Sequence, residues 1–430
     1  MRIVKLTQET QQNILEDLLK RSPNQYTEYE KTVNEIVKAV KDNSDKAVFE
    51  YTQKFDKWDI NASNIKVTKE EIAEAYTLVD EKFIDILKEA AANIADFHKK
   101  QLRESWISPK EDGTILGQKI TPIEKIGAYA PGGKAFYPSS VLMNIVPAKV
   151  AGVPKIVLTT PASSLGKVHP ITLVAADIAG VDEIYKIGGA QAIAAMAFGT
   201  ESVPKVDKIT GPGNIFVALA KKACFGYVGI DSIAGPSEIL VVADETANPR
   251  FVAADLLSQA EHDELASAIL ITTSMELAEA VSKQTQIFTN ELSRKETIEK
   301  SLDNYGYILV ADTMQEAIDA ANAIASEHVE IMTKDPYQVM TKIKNAGAIF
   351  IGEYSSEPLG DYFAGPNHIL PTNGTARFFS PLNVDDFVKK TSIISYSKEA
   401  LEKFHDKIEY FAKQEQLTAH ANSIAVRFEK

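Results

Sequence analysis

The chain of 430 residues has only one cysteine, Cys224, and this scarcity excludes two kinds of site. One thiol cannot form a disulfide within the chain, and it cannot build a zinc site from several cysteines. The sequence has no run of about eighteen apolar residues, so no membrane-spanning helix is predicted. The N-terminal segment mixes acidic and apolar side chains without an apolar core, which is not typical of a secretory signal. We therefore expect a soluble, cytoplasmic protein.

Positive charge is also in short supply, because 46 Lys and Arg stand against 59 Asp and Glu and give a formal net charge of −13. Such an acidic chain is not expected to bind nucleic acid in general or to lie on an anionic membrane. An anionic cofactor is not excluded, since backbone N–H groups at a helix N-terminus can hold it locally. Cys224 lies in the apolar stretch KKACFGY, where a buried structural thiol is a better interpretation than a catalytic nucleophile.

From about residue 120 onward, short β-branched stretches alternate with helical patterns, as in KIVLTT (155–160) and EILVVAD (238–244). This alternation predicts parallel sheets built from right-handed crossover units. Residues 1–110 show mostly helical patterns. We predict an α/β fold with two Rossmann-like, doubly wound domains, an N-terminal helical segment and a helical C-terminal tail.

The same pattern gives four segments. They are an N-terminal helical arm at 1–25, a first Rossmann-like domain at 26–128 plus 237–381, a second Rossmann-like domain at 129–236, and a tail at 382–430. The tail is too short to bury a core alone. We expect it to dock on the rest of the chain or on a partner.

Glycine is concentrated in four stretches, at 127–140, 187–192, 210–214 and 233–238. Several follow a predicted strand and precede a predicted helix, where a glycine turn exposes backbone N–H groups to a phosphate. None completes the G-x-G-x-x-G pattern, since Phe216 stands where GPGNIF would need its third glycine. Together the stretches indicate a ligand-binding face without naming the ligand, and an ordinary tight turn stays an open alternative for each.

Gln259 and His262 lie in LLSQAEHDEL, whose spacing predicts a helix with both side chains on one apolar face. Both could reach one metal ion, but a glutamine oxygen is a weak donor, so residue chemistry alone favours no metal here. A metal site would need two further ligands, for which Asp361 and His420 are the natural candidates. Nitrogen and oxygen donors without thiolate suit Zn²⁺ or Mn²⁺.

Two further segments combine histidine with an acid. ASEHVEI predicts the end of a helix, with His328 on its buried stripe and Glu327 beside it, so that the pair could serve two different reacting atoms. A structural role for this pair stays open, because Glu-His is a common dipeptide. Asp361 and His368 flank an Ala-Gly-Pro turn, a loop composition typical of binding residues. His98 lies among lysines and acids on a helix and is predicted to be solvated.

Eight stretches follow one another along the chain from about residue 120 to its end. They are GAYAPGGKAFYPSSVLMNIVPAKVAGV, GGAQAIAAMAFGT, GPGN, IAGPSEILVVAD, LLSQAEHD, SEHVEI, GDYFAGPNHILPT and LTAHANS. Taken together, they closely resemble the histidinol dehydrogenase family. The resemblance implies a zinc-dependent, NAD-linked, four-electron oxidation of L-histidinol to L-histidine through L-histidinal, which completes histidine biosynthesis.

The resemblance also implies roles for individual residues, matched motif by motif. The implied zinc ligands, for one Zn²⁺ per subunit, are Gln259, His262, Asp361 and His420. The implied acid–base pair is Glu327 and His328. The implied substrate-binding set is Ser237, His368 and Glu415, together with His328 and the four zinc ligands. The implied NAD contacts are Tyr129, Gln191 and Asn214.

Family members are homodimers with exchanged C-terminal tails, so the resemblance implies that Glu415 and His420 complete the site of the other subunit. It assigns most of the zinc and catalytic site to the first Rossmann-like domain and NAD to the second. His328 would take the hydroxyl proton of the alcohol, and Glu327 would deprotonate the water that hydrates the aldehyde. Zinc would mainly orient the substrate.

Three alternatives stay open. One is a related zinc- and NAD-dependent alcohol-to-acid dehydrogenase that acts on another amino or sulfonated diol. Another is a zinc hydrolase that uses Glu327 as its base and no nucleotide. The last is a non-catalytic nucleotide-binding protein that retains only the fold.

Overall fold

The computed structural model describes residues 1–21, 27–132 and 136–429. The chain divides into two units, of which the first contains Met1–Gln101 with Ile123–Phe387 and the second Leu102–Pro122 with Val388–Lys430. The predicted end of the N-terminal arm at residue 25 lies outside the described residues, as does 133–135 of the first glycine-rich stretch.

Fourteen strands and eighteen α-helices make up the regular structure of the described residues. The strands are β1 (Arg2–Lys5), β2 (Trp106–Pro109), β3 (Ile115–Pro122), β4 (Lys125–Tyr129), β5 (Lys155–Thr159), β6 (Glu183–Tyr185), β7 (Lys208–Thr210), β8 (Gly229–Ile230), β9 (Glu238–Ala243), β10 (Ser267–Thr272), β11 (Gly306–Val310), β12 (His328–Met332), β13 (Ala348–Ile351) and β14 (Val388–Ser395). The helices are α1 (Gln8–Leu19), α2 (Thr27–Asn43), α3 (Asp45–Asp56), α4 (Lys69–Leu78), α5 (Glu81–Lys99), α6 (Pro138–Val150), α7 (Pro170–Ala179), α8 (Gly189–Phe198), α9 (Ile215–Cys224), α10 (Pro249–Ala260), α11 (Met275–Glu291), α12 (Lys295–Tyr305), α13 (Met314–Ile324), α14 (Pro336–Met340), α15 (Glu357–Tyr362), α16 (Lys398–Glu402), α17 (His405–Gln414) and α18 (Thr418–Ala425). Within the described ranges, no helix combines the length and the apolar character that crossing a membrane requires.

Two parallel sheets form the framework of the first unit. Sheet A has the order β1-β11-β10-β9-β12-β13, and sheet B has the order β6-β5-β4-β7-β8. If β9 is counted as strand 1 of sheet A and β4 as strand 1 of sheet B, then β9–β13 and β4–β8 both have the spatial order 3-2-1-4-5. This is the order of a doubly wound nucleotide-binding fold. The predicted α/β class is therefore confirmed. Strand β1 was not predicted, and it pairs in parallel with β11 at the edge of sheet A.

Strand β9 shows how the sequence builds sheet A. Leu240 and Val242 pack in one apolar cluster with α1 and α13. Ile239 and Val241 point to the opposite face and pack with α10, α11 and α12. Because helices cover both faces, all six residues of the strand are buried. This explains why a strand with two covered faces is an almost continuous apolar run in the sequence.

The second unit contains sheet C, an antiparallel sheet of order β14-β3-β2, followed by α16, α17 and α18. The tail was predicted to be helical from about residue 382, but the short 3₁₀ helix Val384–Phe387 is followed by the eight-residue strand β14 before the α-helices begin. Pairing with β3 satisfies the backbone of β14 and overrides its local pattern. The unit also includes 102–122, which the predicted boundaries place in the first Rossmann-like domain.

The helix that carries Gln259 is shorter than predicted, because α10 ends at Ala260, one residue after Gln259. The Nδ1 atom of His262 donates to the Ser258 carbonyl at 2.9 Å, and the Asp263 carboxylate accepts from the Leu265 N–H at 2.9 Å. These local bonds compete with helical ones and turn the chain. His262 therefore lies in a turn after α10 and not on its apolar face, although its Nδ1 is still 3.5 Å from Nε2 of Gln259.

The prediction that Glu327 and His328 end a helix is wrong. Helix α13 ends at Ile324, and Ala325 has φ 55° in the left-handed region. His328 is then the first residue of β12, which lies between β9 and β13. Strand pairing within sheet A overrides the helical spacing of the sequence. The two side chains nevertheless lie close together, with Nδ1 of His328 3.7 Å from Oε2 of Glu327.

Two residues outside the predicted site are also buried. His98 is not solvated as predicted, since it is fully buried and its Nδ1 donates to the Ile94 carbonyl at 2.8 Å. Cys224 is buried as well, and burial raises the pKa of its thiol to about 12. A thiol with so high a pKa is protonated at neutral pH, which agrees with the structural interpretation of this cysteine.

Candidate active site

The amino ends of β9 and β12 bring an acid–base pair together. His328 opens β12 and lies opposite Ile239 of β9. Glu327 and His328 are 6% and 4% exposed. Two ionisable side chains at the end of a sheet are thus removed from solvent, where a proton can be transferred without competition from bulk water.

Glu238, the first residue of β9, orients both members of the pair through its backbone. Its N–H donates to Oε2 of Glu327 at 2.9 Å, and its carbonyl accepts from Nδ1 of His328 at 2.9 Å. A carbonyl oxygen can only accept, so Nδ1 carries the imidazole proton. Nε2 of His328 is buried without a partner among the described residues, which leaves its lone pair free to take a proton.

Burial shifts the two pKa values in opposite directions. It lowers the pKa of His328, so the imidazole is neutral and able to act as a base. It raises the pKa of Glu327 well above its usual value; the Glu238 N–H opposes this rise, and the nearby carboxylates of Glu238 and Asp361 add to it. Burial thus moves the pKa of the imidazole down and that of the carboxyl group up from their usual values, which suits proton transfer by both groups near neutral pH.

Gln259 and His262 lie beside this pair with free donor atoms. Gln259 is almost fully buried, and its Oε1 has no partner among the described residues. Because Nδ1 of His262 donates to the Ser258 carbonyl, Nε2 carries the lone pair that a metal ion needs. An orphaned buried acceptor next to a pre-oriented imidazole is the arrangement expected of a metal site.

Helix α15 adds two carboxylates to these donors. Ligand atoms of His262, Glu357 and Asp361 all lie within 4.8 Å of one another. Burial raises the pKa of Glu357 and of Asp361, and the nearby His262 only partly opposes this rise. A bound cation would supply the missing positive charge. Sequence reasoning identified Asp361 but missed Glu357, although its i, i+4 spacing in EPLGD was a visible signal.

His368 lies next to Asp361, as their separation by only one turn predicts. Its Nδ1 donates to the Asp361 carbonyl at 3.1 Å, and Ser140 Oγ lies 3.2 Å from its Nε2. Burial lowers the pKa of His368 to about 4, so the ring is neutral. Ser237 immediately precedes Glu238 and is half-buried. A cavity of about 390 Å³ reaches this region and is lined in part by His262 and Asp361.

The three predicted cofactor residues line a second cavity, of about 690 Å³, at the carboxyl edge of sheet B. Tyr129 is the last residue of β4, and its hydroxyl accepts from the Gly189 N–H at 3.2 Å. Asn214 follows β7 and accepts from two backbone N–H groups as the N-cap of α9. Gln191 lies in the first turn of α8. The strand order reverses between β4 and β7, where doubly wound sheets bind their ligands.

Glycine is required where α8 begins. Gly189 has φ +64°, and a Cβ atom there would lie 2.9 Å from Oε1 of Gln191. A bulkier residue would be strained and would displace the side chain that points into the cavity.

Glu415 and His420 belong to the second unit, apart from the other predicted residues in the chain. They line a groove of about 1090 Å³ with apolar side chains of α16, α17 and α18. Both are exposed. Their assignment to a substrate contact and a metal ligand stays a prediction, as do the roles of the other site residues.

The described residues thus combine a parallel α/β framework with a buried carboxylate–imidazole pair and a nearby cluster of candidate metal ligands, an arrangement typical of an α/β enzyme. A family model described as histidinol dehydrogenase matches residues 19–428. The chain is 57% identical over 413 residues to the histidinol dehydrogenase of Clostridium acetobutylicum, covering 96% of this chain and 95% of that protein. It is 56% identical over 410 residues to that of Bacillus subtilis, covering 95% and 96%.

A solved structure gives the same result. The histidinol dehydrogenase of Elizabethkingia anophelis matches with a TM-score of 0.93 at 38% sequence identity, covering 99% of this chain and 98% of that one. The chain therefore belongs to the histidinol dehydrogenase family. The predicted resemblance is confirmed, and with it the assignment to an oxidoreductase of histidine biosynthesis.

Proposed function

We propose that the protein oxidises L-histidinol to L-histidine through L-histidinal, with two NAD⁺ and one water consumed and two NADH and three protons released. The observation that carries the proposal is the buried Glu327–His328 pair beside His262, Glu357 and Asp361, in a chain of this family. Absence of a membrane-spanning helix in the described residues is compatible with the expected cytoplasmic location.

A Zn²⁺ ion fits the donors that this site offers. We propose that Gln259, His262 and Asp361 hold one ion per subunit, and that His420 of a second copy completes the set. The orphaned Oε1 of Gln259 and the unprotonated Nε2 of His262 support this ligand set. When bound, the ion orients and polarises the substrate, and NAD⁺ accepts the hydride that leaves carbon.

His328 supplies the base for both oxidations. Its Nε2 takes the hydroxyl proton of the alcohol in the first step and of the aldehyde hydrate in the second. The Glu238 carbonyl fixes the required tautomer by accepting from Nδ1. Since burial lowers the pKa of His328, the proton is released again without difficulty.

Glu327 acts between the two oxidations. It takes a proton from the water whose oxygen adds to the aldehyde carbon, while the carbonyl oxygen receives the proton that His328 took up in the first step, so that the hydrate forms and His328 is again a base. Burial raises the pKa of Glu327, so its ionised carboxylate is a stronger base than an exposed one. We further propose that Ser237, His368 and Glu415 bind the polar groups of histidinol.

NAD⁺ would bind in the cavity at the carboxyl edge of sheet B, with contacts to Tyr129, Gln191 and Asn214. Its volume of about 690 Å³ is within the usual range for a small-molecule site. We retain the predicted domain boundaries as part of this proposal, with 129–236 as the NAD-binding domain.

The second unit supports a homodimer with exchanged tails. Ile394 and Phe411 are 73% and 67% exposed, and large apolar side chains at such exposure are typical of a surface that a partner covers. In the proposed dimer, each tail brings Glu415 and His420 to the site of the other subunit.

Complementation tests the exchange. His420→Ala subunits, which should lose zinc, and His328→Asn subunits should each be inactive. Mixed dimers would contain one intact site if the tail is exchanged, so mixing should restore roughly a quarter of wild-type activity for a symmetric dimer. No recovery, with mixed dimers shown by mass spectrometry, would place His420 in its own subunit's site.

The activity itself is tested with purified protein, Zn²⁺, NAD⁺ and L-histidinol, by the absorbance of NADH. Two NADH per histidinol are expected, with L-histidine as the product. Turnover of another amino or sulfonated diol, but not of histidinol, would favour the related dehydrogenase. Hydrolytic activity without NAD⁺ would favour the zinc hydrolase, and cofactor binding without turnover of any of these substrates would favour a non-catalytic protein.

A further inference from the structure

Glu238 contacts the catalytic pair with three different groups. Its N–H and carbonyl bind the side chains of Glu327 and His328, as described above. Its side chain adds a third contact, because Oε2 accepts from the Glu327 N–H at 3.4 Å. The two residues therefore bind each other reciprocally, because the carboxylate of each accepts from the backbone N–H of the other.

Arg21 holds the other oxygen of this carboxylate. Its Nη2 donates to Oε1 of Glu238 at 2.5 Å, and its Nη1 donates to the Leu265 carbonyl at 2.8 Å. Arg21 is fully buried and follows α1, 217 residues before Glu238. The guanidinium thus ties the segment after α1 to the amino end of β9.

We propose that Arg21 and Glu238 are positioning residues that hold the Glu327 carboxylate where it can deprotonate the water for aldehyde hydration. The inference rests on the proposed function. Neither residue is assigned contact with the substrate. Arg21 acts through Glu238, and Glu238 acts through the backbone and side chain of Glu327.

The segment before Glu327 explains why such a restraint is needed. Ala325 has φ 55°, which is unfavourable for any residue with a Cβ atom, and it is fully buried. A strained backbone persists only where its surroundings determine it. The reciprocal bonds between Glu238 and Glu327 supply that restraint two residues later. Without Arg21, the Glu238 carboxylate would be a buried charge without a cation beside it. We then expect it to become protonated or to move toward solvent.

The test is a double-mutant cycle between Arg21→Met and Glu327→Gln, measured on L-histidinal oxidation with zinc-loaded, full-length protein. Arg21→Met alone should lower kcat by roughly 10- to 100-fold with little change in KM, because small displacements of a reacting group cost up to about 10²-fold. In the Glu327→Gln background, Arg21→Met should lower kcat by less than about twofold, because the group that it positions is already gone.

Glu238→Gln provides a second variant if Arg21→Met does not fold. Its amide has one oxygen for two donors, so either the Arg21 bond or the Glu327 N–H bond is lost. It should show the same dependence on Glu327. Arg21→Lys, which keeps the charge but not the two-pronged geometry, should restore part of the lost kcat.

Lys186→Met is the matched control. Lys186 is buried and forms an ion pair with the half-buried Glu71 at 2.6 Å, outside the catalytic site. Its loss should lower the melting temperature and leave the kcat of the folded enzyme unchanged. Equal effects of Arg21→Met with and without Glu327 would overturn the proposal, because a purely structural ion pair gives additive losses. The proposed function would fail separately, through a wild-type enzyme that does not oxidise histidinol.

Discussion

Sheets A and B of the first unit share one strand order but place their candidate functional groups at opposite ends. In sheet B, Tyr129 ends β4 and Asn214 follows β7, so the cavity lies at the carboxyl edge. In sheet A, Glu238 opens β9 and His328 opens β12, so the acid–base pair lies at the amino edge. Only sheet B follows the rule that doubly wound sheets bind ligands beyond the carboxyl ends of their strands.

Among the described residues, the carboxyl edge of sheet A and the amino edge of sheet B hold no candidate functional group. Different polar contacts satisfy the backbone and the charges at these two edges. At the carboxyl edge of sheet A, Asp244 accepts from the N–H groups of Thr246 and Lys334, which are then not available to an anion. At the amino edge of sheet B, Glu183 pairs with Lys66 at 2.8 Å and with Lys155 at 3.2 Å. Strand order therefore indicates where a nucleotide can bind. The position of the candidate reacting groups depends instead on which edge of the sheet buries polar side chains.

The largest effect is expected from removing the proposed base at the amino edge of sheet A. His328→Asn keeps a donor for the Glu238 carbonyl but has no titratable nitrogen. We expect kcat to fall by roughly 10³-fold for histidinol and for histidinal, since a general base contributes about 10²- to 10⁴-fold. Initial rates of NADH formation with each substrate check this. A loss confined to one substrate would contradict a base shared by both oxidations.

The next largest effect is expected at Glu327, and it should distinguish the role of Glu327 from that of His328. Glu327→Gln retains an oxygen for the Glu238 N–H but cannot take a proton from water. Histidinal oxidation should fall by roughly 10²-fold, and the first hydride transfer from histidinol much less. Single-turnover measurements with each substrate resolve the two steps. Equal losses in both would show that Glu327 does not serve hydration in particular.

At the carboxyl edge of sheet B, a change should affect binding and not chemistry. Gln191→Ala removes an amide from the cavity and should raise KM for NAD⁺ about tenfold, the effect of losing about 1.4 kcal/mol of binding. The value of kcat at saturating NAD⁺ should stay within about twofold. Steady-state kinetics at varied NAD⁺ measure both quantities, and a large fall in kcat with unchanged KM would move Gln191 to the chemical step.

The smallest effect is expected at the carboxyl edge of sheet A. Asp244→Asn weakens hydrogen bonds that close this edge and should lower the free energy of unfolding by about 1 kcal/mol. Urea denaturation measures that loss. Activity should be unchanged, and reduced turnover at full folding would mean that this edge takes part in function after all.

The sequence predicts the framework well because periodicity reports local burial. The runs at 155–160 and 238–244 correspond to β5 and β9, since a strand covered on both faces must be apolar throughout. Strand β1 could not be predicted in this way. Its partly exposed residues join sheet A through pairing with β11, some 300 residues away, which no local window contains.

The roles of the candidate site residues stay predictions, whereas the local structure predicted around two of them was wrong. Gln259, His262 and Asp361 come from motifs, but the turn at His262 depends on local side-chain bonds that override helical spacing, and the strand at His328 depends on pairing with distant backbone. Glu357 was missed although its i, i+4 spacing with Asp361 was a visible signal, because that spacing alone does not show that both carboxylates are buried beside His262. Arg21 and Glu238 were missed for another reason, since the 217 residues between them conceal a contact that only the folded chain creates.

The buried Cys224 has a practical consequence for measuring subunit exchange. With a pKa of about 12 and no exposure, the only thiol of the chain will not react with maleimides near neutral pH. A cysteine introduced at the exposed Tyr410 of α17 would then be the sole labelled position, without first constructing a cysteine-free background. Donor- and acceptor-labelled copies could be mixed, and energy transfer between the dyes would report in real time whether two copies associate and how fast they exchange partners.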